Sequence, residues 1–409
     1  MQKRKINLHR VIIVAGFTAL MISYSLLWMK MINNPVENTG SDFITYYTVG
    51  VIANRYGLEN VYDFQLQKAI EEEIVGFEIA DSNVMPHNHI PLINPILALL
   101  VGAVGERYLL GMSIWALVLL LVYIPTVRVL LRIRSDLVDA NFVNNLAFLL
   151  FFPLFVSLLN GQDTVLLVLG AVLLLRGVLN HQDWTAGLGL VLMTVRPQIA
   201  LMMALPFIFT HRRIWWRFCT IALMFVLISI IPLGASGVRD FLNIMFNVVV
   251  GSRNTAFFNI IGLLSRAFPD WQSGTIQLIG WGAYVLGVIG LLIAWRQPEE
   301  IDARVLGLAL VSSLLVSPHL LYHDLTLLMI PLVIAIWKGT EGGLLRKKDA
   351  AVVVLVLSVF LLLSFVWTAT QYIAVYLLMI ILLGYLWKPG WVNGILQSKL
   401  VLRESHDKR

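Results

Sequence analysis

Tyr108–Leu131 reads YLLGMSIWALVLLLVYIPTVRVLL. One cation, Arg128, falls inside it near its end, and Arg132 and Arg134 follow. As a helix rising about 1.5 Å per residue, such a run spans the roughly 30 Å hydrocarbon core of a bilayer. In hydrocarbon every backbone N–H and C=O must be paired internally, so the run forms a helix and not open sheet. Outward from it lie comparable apolar runs at Val11–Ile32, Pro91–Val104, Phe142–Leu159, Thr164–Leu179, Trp184–Phe209 and Ile214–Leu233. Others follow at Thr275–Trp295, Val305–Val316, Leu325–Trp337, Ala350–Trp367 and Tyr372–Trp387. The chain is 58% hydrophobic and 13% charged, where ordinary globular chains are nearer a quarter charged. The pattern predicts an all-α polytopic membrane protein with roughly 11–13 transmembrane helices, one integral domain over residues 1–409.

A net charge of +6 would suggest nucleic acid in a soluble protein. Here the basic residues collect in short loops, as the positive-inside rule expects of a membrane protein, so nucleic acid is not a partner. Lys3, Arg4, Lys5 and Arg10 place the N-terminus in the cytoplasm of a plasma-membrane protein. Arg128, Arg132 and Arg134 mark one inside loop, Arg212, Arg213 and Arg217 another, and Arg346, Lys347 and Lys348 a third. Residues 388–409, with Lys399, Arg403, Lys408 and Arg409, read as a cytoplasmic basic tail. The first apolar run lacks the short core and small-residue cleavage site of a signal peptide, which predicts an uncleaved helix. The lone cysteine, Cys219, excludes an internal disulfide and a CxxC metal site.

Residues 33–90 must then form an extracytoplasmic loop. They carry nine acidic and two basic side chains, so nothing in them resists export. Phe64, Leu66, Ala69, Ile70 and Ile74 have helical spacing, which predicts a short interfacial helix over Asp63–Val75 with its acids on the opposite face. Two stretches strain the topology. Between His89 outside and Arg128 inside lie two apolar runs, where parity demands an odd number of crossings. Pro91–Val104 is therefore expected to be re-entrant or interfacial. Trp184–Phe209 is interrupted by Arg196-Pro197-Gln198 while both its flanks look cytoplasmic. Two half-helices that enter and return would put Arg196 near the far side, lining a cavity. One kinked helix with a snorkelling Arg196 is the alternative.

Few polar groups remain on the extracytoplasmic side. They are Asp42 with its neighbours Tyr46 and Tyr47, His87-Asn88-His89, Asn160-Gly161-Gln162-Asp163, Arg196, Arg253, and Tyr322-His323-Asp324. Each has a plain structural reading. Asp42 and Asp163 suit helix N-caps, Asp324 suits the helix that follows it, and Arg253 suits a solvated loop. His87 and His89 lack a third ligand for zinc. Gly170, Gly187 and Gly189 suit helix packing better than a phosphate cradle. Co-location lifts the set above its members. A carboxylate can deprotonate a hydroxyl, and cations beside it can hold a departing phosphate.

The order of these motifs resembles glycosyltransferase family 87, membrane enzymes of GT-C type. The resemblance rests on Asp42-Phe43 with Tyr46-Tyr47, Gly57 and Val61-Tyr62-Asp63; on Asn160-Gly161-Gln162-Asp163; on Thr185-Ala186-Gly187-Leu188-Gly189-Leu190 running into Arg196-Pro197-Gln198; and on Ser317-Pro318 with Tyr322-His323-Asp324-Leu325 and Pro331. It spans about residues 40–335. It implies a polyprenyl-phosphate sugar donor, typically polyprenyl-phosphomannose, a lipid or glycan acceptor, and inverting transfer on the extracytoplasmic face. Asp42 is then the catalytic base. Arg196, Arg253 and His323 hold the donor phosphate, and Tyr46, Gln162, Asp163 and Asp324 line the substrate. No resident cofactor is implied. A divalent metal bridging Asp42 and phosphate is compatible with related folds, but no second carboxylate stands out to pair with Asp42. The chain departs from the family at Arg196, where the motif carries lysine, and in its partial proline signature, His89-Ile90-Pro91-Leu92. A transporter or flippase for a polyprenyl-linked substrate is the rival reading, since broken helices and a buried cation also suit transport.

Overall fold

The computed structural model describes residues 8–247, 254–295 and 301–387, except for the side chains of 36, 38, 247 and 368–371. Arg253 and the tail 388–409 lie outside the described residues. The described chain is helical throughout, without strands. Six helical segments are long and apolar enough to cross a membrane: Leu8–Asn33, Tyr108–Ile133, Arg212–Phe246, Ser273–Ala294, Tyr322–Glu341 and Lys347–Val366. A seventh is a pair, Phe142–Leu149 and Phe152–Leu159, bent by 52°. Shorter apolar helices fill the bundle between them. Leu26, Trp216, Ile231, Leu286, Leu363 and Ile380 point outward and are exposed, whereas Gln162, Asp163, Arg196 and Asp324 are buried. Apolar outside and polar inside is the arrangement lipid imposes. The protein is an integral membrane protein.

The helices run between two ends of the bundle. At one end Arg134 pairs with Glu341 at 2.9 Å, and His9 lies 3.5 Å from Asp349. This is the basic end. Arg217, stacked 4.3 Å over Trp184, lies a helix length away from Asp163, as these residues do. At the opposite end gather Asp42, Asp163, Arg196 and His323.

Pro91–Val104 is a shorter apolar helix that packs back on the preceding one. It starts beside Tyr62, whose hydroxyl accepts from Asn94 Nδ2 at 3.1 Å, and ends beside Tyr47, whose hydroxyl donates to Gly105 O at 2.6 Å. The next helix then begins with Tyr108 edge-on to Phe43. The segment therefore lies along helix Phe43–Tyr56, and the helix long and apolar enough to cross is the next one, Tyr108–Ile133. Gly50 allows the approach, since a Cβ there would stand 2.6 Å from Leu97 O.

The Trp184–Phe209 stretch is two half-helices, Asp183–Met193 and Pro197–Ala204 continued by Phe207–Thr210. Proline disfavours helical backbone in the residue before it, and Arg196 is at φ −124°, ψ 86°. The chain then returns to its starting end, because Gly187 packs directly on Arg217 and Phe218. The enter-and-return arrangement holds, with Arg196 at the turn. Asp183–Met193 packs backbone to backbone on Thr164–Leu179. A Cβ on Gly189 would meet Gly170 O at 2.5 Å, and one on Gly170 would meet Gly189 O at 2.7 Å. Small residues permit such contact between membrane helices.

In the 33–90 segment, Asp63 caps helix Phe64–Val75 by accepting from Leu66 N at 3.0 Å. The acids do not all face away from the protein. Gln67, Ile70 and Glu71 form the buried face, because this face holds the chain that follows. Gln67 Oε1 accepts from His87 N at 2.9 Å, Gln67 Nε2 donates to Val61 O at 2.6 Å, and Glu71 Oε2 accepts from Met85 N at 3.2 Å.

Two outcomes follow. Gly189→Ala should cost about 1–3 kcal/mol by overpacking, read as a lowered Tm in detergent; an unchanged Tm would mean the two helices are not in backbone contact. Burial lifts the Glu71 carboxyl from its ordinary 4.5 to about 7. A carboxyl raised in the folded protein stabilises it at low pH, and that stability is lost as pH climbs from 4.5 through 7. Glu71→Gln should therefore melt higher than the parent at pH 8, with the gap closing at pH 5. Equal gaps at both pH values would contradict the burial of this group.

Candidate active site

Three interruptions of helical backbone deliver the polar side chains to one place. The first is the turn 160–163 between Phe152–Leu159 and Thr164–Leu179. Gly161 adopts φ +70°, and a Cβ on it would stand 2.7 Å from Phe43 Cβ, so only glycine fits. Trp115 Nε1 donates to Gly161 O at 2.8 Å and locks the turn. The second is the Arg196-Pro197 break. The third is the loop before helix Met329–Glu341, where Tyr322–Leu328 makes a tight helical turn. Asp324 Oδ2 accepts there from Leu321 N at 3.1 Å, and Thr326 Oγ1 donates to His323 O at 2.7 Å.

At the centre is Arg196, buried against two carboxylates that have no exposed surface. Its Nε donates to Asp324 Oδ1 at 2.9 Å, and its Nη1 to Asp163 Oδ1 at 3.5 Å and Val195 O at 3.1 Å. Its Nη2 donates to Gln162 Oε1 at 3.1 Å and lies 3.3 Å from His323 Nε2. A guanidinium has five N–H groups, and all five are engaged. Asp163 was read as a helix cap; its side chain makes no cap hydrogen bond and pairs instead with Arg196 and His89.

Beside this centre a wall of aromatic and imidazole rings continues toward the 33–90 segment. His89 Nδ1 lies 3.0 Å from Asp163 Oδ2, and the Tyr46 hydroxyl is 3.2 Å from His89 Nε2. Tyr62 Oη donates to His89 O at 2.7 Å, and His87 Nε2 is 3.1 Å from Asn94 Oδ1. Full burial, reinforced by His89 nearby, pushes His87 down to about 3. It is a neutral structural ring.

Asp42 differs from every other carboxylate of the cluster. It sits at the start of helix Phe43–Tyr56 with helical backbone, φ −60° and ψ −15°, and its side chain makes no cap hydrogen bond. Its carbonyl oxygen serves the helix instead, accepting from Thr45 N and Thr45 Oγ1. The side chain is 26% exposed, and its Oδ2 lies 3.8 Å from His323 Nδ1. Asp42 is thus the acid of this cluster that incoming molecules can touch, one imidazole away from Arg196.

The structure brings together Asp42, Tyr46, Gln162, Asp163, Arg196, His323 and Asp324 from the sequence reading. Tyr46, Asp163 and Asp324 are fully buried, so they support the site from behind. Arg253 lies outside the described residues. The residue missed is His89, which bridges Tyr46 and Asp163. Its two-residue spacing from His87 drew attention to zinc, and nothing local marks a histidine that pairs with an aspartate 74 positions on. Among the described residues no group of three or more His, Cys, Asp or Glu side chains is arranged to hold a metal ion.

The model of glycosyltransferase family 87 matches residues 92–318, more than half of the chain. The chain belongs to glycosyltransferase family 87. It is a glycosyltransferase, which favours the enzyme over the carrier. The matched region contains Gln162, Asp163 and Arg196; Asp42 and His323 flank it and join it through the contacts above. No curated protein and no solved structure matches the chain.

The burial of Asp163 makes a sharp test. Removing one partner of a buried ion pair strands the other, at about 3–5 kcal/mol. Asp163→Ala should give a large fall in Tm or in folded yield. A Tm within a degree of the parent would show that Arg196 does not depend on it.

Proposed function

We propose that this glycosyltransferase moves a sugar, mannose by family resemblance, from a polyprenyl phosphate to a hydroxyl of a lipid or glycan acceptor. Asp42 is the general base. The acceptor hydroxyl gives its proton to Asp42 as its oxygen attacks C1 of the donor sugar. The bond from C1 to the phosphate oxygen breaks, polyprenyl phosphate departs, and the configuration at C1 inverts. The proton on Asp42 passes to solvent. Phosphate is already a good leaving group, so charge stabilisation matters more than a strong acid. Arg253 supplies a cationic contact for it, and the His323 ring lines the site beside it. Arg196 contributes its charge from behind, with no N–H left for the donor. The basic end is cytoplasmic by the charge rule, which puts Asp42 and the reaction on the extracytoplasmic face.

The observation that carries this reading is the state of the Asp42 side chain: partly exposed, free of any capping duty, and beside His323, which touches Arg196. Had Asp42 served as an N-cap, its role would have been folding.

Asp42→Asn should therefore leave the Tm within a degree or two of the parent. Transfer of labelled mannose from polyprenyl-phosphomannose in membranes should fall by about a hundredfold or more. Transfer at the parent rate would remove Asp42 from the chemistry.

A further inference from the structure

We propose that Arg196 is a positioning residue: it fixes His323 as the neutral imidazole protonated on Nδ1, turning that N–H toward Asp42. The inference rests on the reading of Asp42 as base and gives that base a partner.

A guanidinium keeps its charge, donates through five N–H groups and accepts nothing. Four of those groups in Arg196 go to Asp324 Oδ1, Asp163 Oδ1, Val195 O and Gln162 Oε1. The fifth points at His323 Nε2, 3.3 Å away. Only an unprotonated nitrogen can accept it, so Nε2 carries the lone pair. In a neutral ring the proton is then on Nδ1, the nitrogen 3.8 Å from Asp42 Oδ2.

The competing arrangements fail on the same contacts. A proton on Nε2 would head for Asp324 Oδ1 at 3.5 Å, but it would stand against the Arg196 N–H. A doubly protonated ring meets the same opposed N–H. The charged groups around the ring are thus Asp42, Asp163, Arg196 and Asp324, and three of the four are committed to one another. Asp42 alone is left to receive Nδ1–H. Catalytic hydrogen bonds are often long before substrate arrives and tighten with it, and a small ring rotation closes the gap. Asp42 Oδ2 is then held by His323, and Oδ1 is left for the acceptor hydroxyl.

This also gives a reason for arginine where the family motif has lysine. An ammonium has three N–H donors and cannot satisfy five acceptors arranged around a planar fork.

The test uses the full chain in lipid nanodiscs, labelled with ¹⁵N-histidine, with His323 assigned by the signal lost in His323→Asn. Long-range ¹H–¹⁵N correlation should show His323 neutral and protonated on Nδ1. In Arg196→Gln, or in Arg196→Lys should the first fail to fold, the proton should move wholly or partly to Nε2. A parent spectrum with Nε2–H, or one that neither Arg196 variant changes, overturns the proposal. A second arm measures transfer from polyprenyl-phosphomannose. An Asn amide can stand near the Nδ1 position and a Gln amide near Nε2. His323→Asn should thus retain about tenfold more activity than His323→Gln, the worth of one hydrogen bond. Equal activities would overturn the role of Nδ1–H. Full activity in Asp42→Asn would instead overturn the base assignment and leave the tautomer result standing.

Discussion

A guanidinium out of water needs counter-charge and acceptors for every N–H, and the folding of this protein's active end is organised by meeting that demand for Arg196. Asp163 arrives from the turn at 160–163, Gln162 from the same turn, and Asp324 and His323 from the loop before helix Met329–Glu341. Arg196 and Asp324 are 128 residues apart in sequence. A buried ion pair is weak evidence of added stability, because desolvation offsets most of the attraction. Its contribution here is geometric: three helix interruptions that would otherwise be independent are held in one register. The cost of placing charge at this depth is the usual mark of function in a membrane protein.

The second constraint is that the proposed base must stay out of that network. Asp163 and Asp324 are consumed by Arg196, His89 and a backbone N–H. Asp42 occupies a cap position whose capping work is done by its own carbonyl oxygen. Its helix is pinned on one side by Gly161 closing on Phe43 and on the other by the 91–104 segment lying over Gly50. The segment 84–90, threaded through Gln67 and Glu71 to His87 and His89, completes the wall. Rigid surroundings and one unengaged carboxylate are what general base catalysis asks of a site.

The helical membrane architecture was legible in the sequence because hydrophobic runs of bilayer length have few other uses. Pro197 forecast the break at Arg196. Asp42 stood out as an acid beside aromatics at the end of the first span. What the residues could not disclose was the division of labour among the polar groups. An aspartate before a helix reads as a cap whether or not its side chain caps, so Asp42 and Asp163 look alike in sequence and play different parts. Glu71 sits among acids on an amphipathic helix, and periodicity put it outside; its inward turn depends on Met85 needing an acceptor. The full engagement of Arg196 is likewise a property of long-range contacts, to which spacing along the chain is blind.

The most direct measurement is a cryo-EM structure of the protein in nanodiscs with a non-transferable polyprenyl-phosphate sugar. It should place the phosphate beside His323, with C1 of the sugar facing Asp42 and Arg196 still between Asp163 and Asp324. Donor density at the basic end, or Asp42 and Arg196 separated by packed helix with no opening to lipid, would contradict the account.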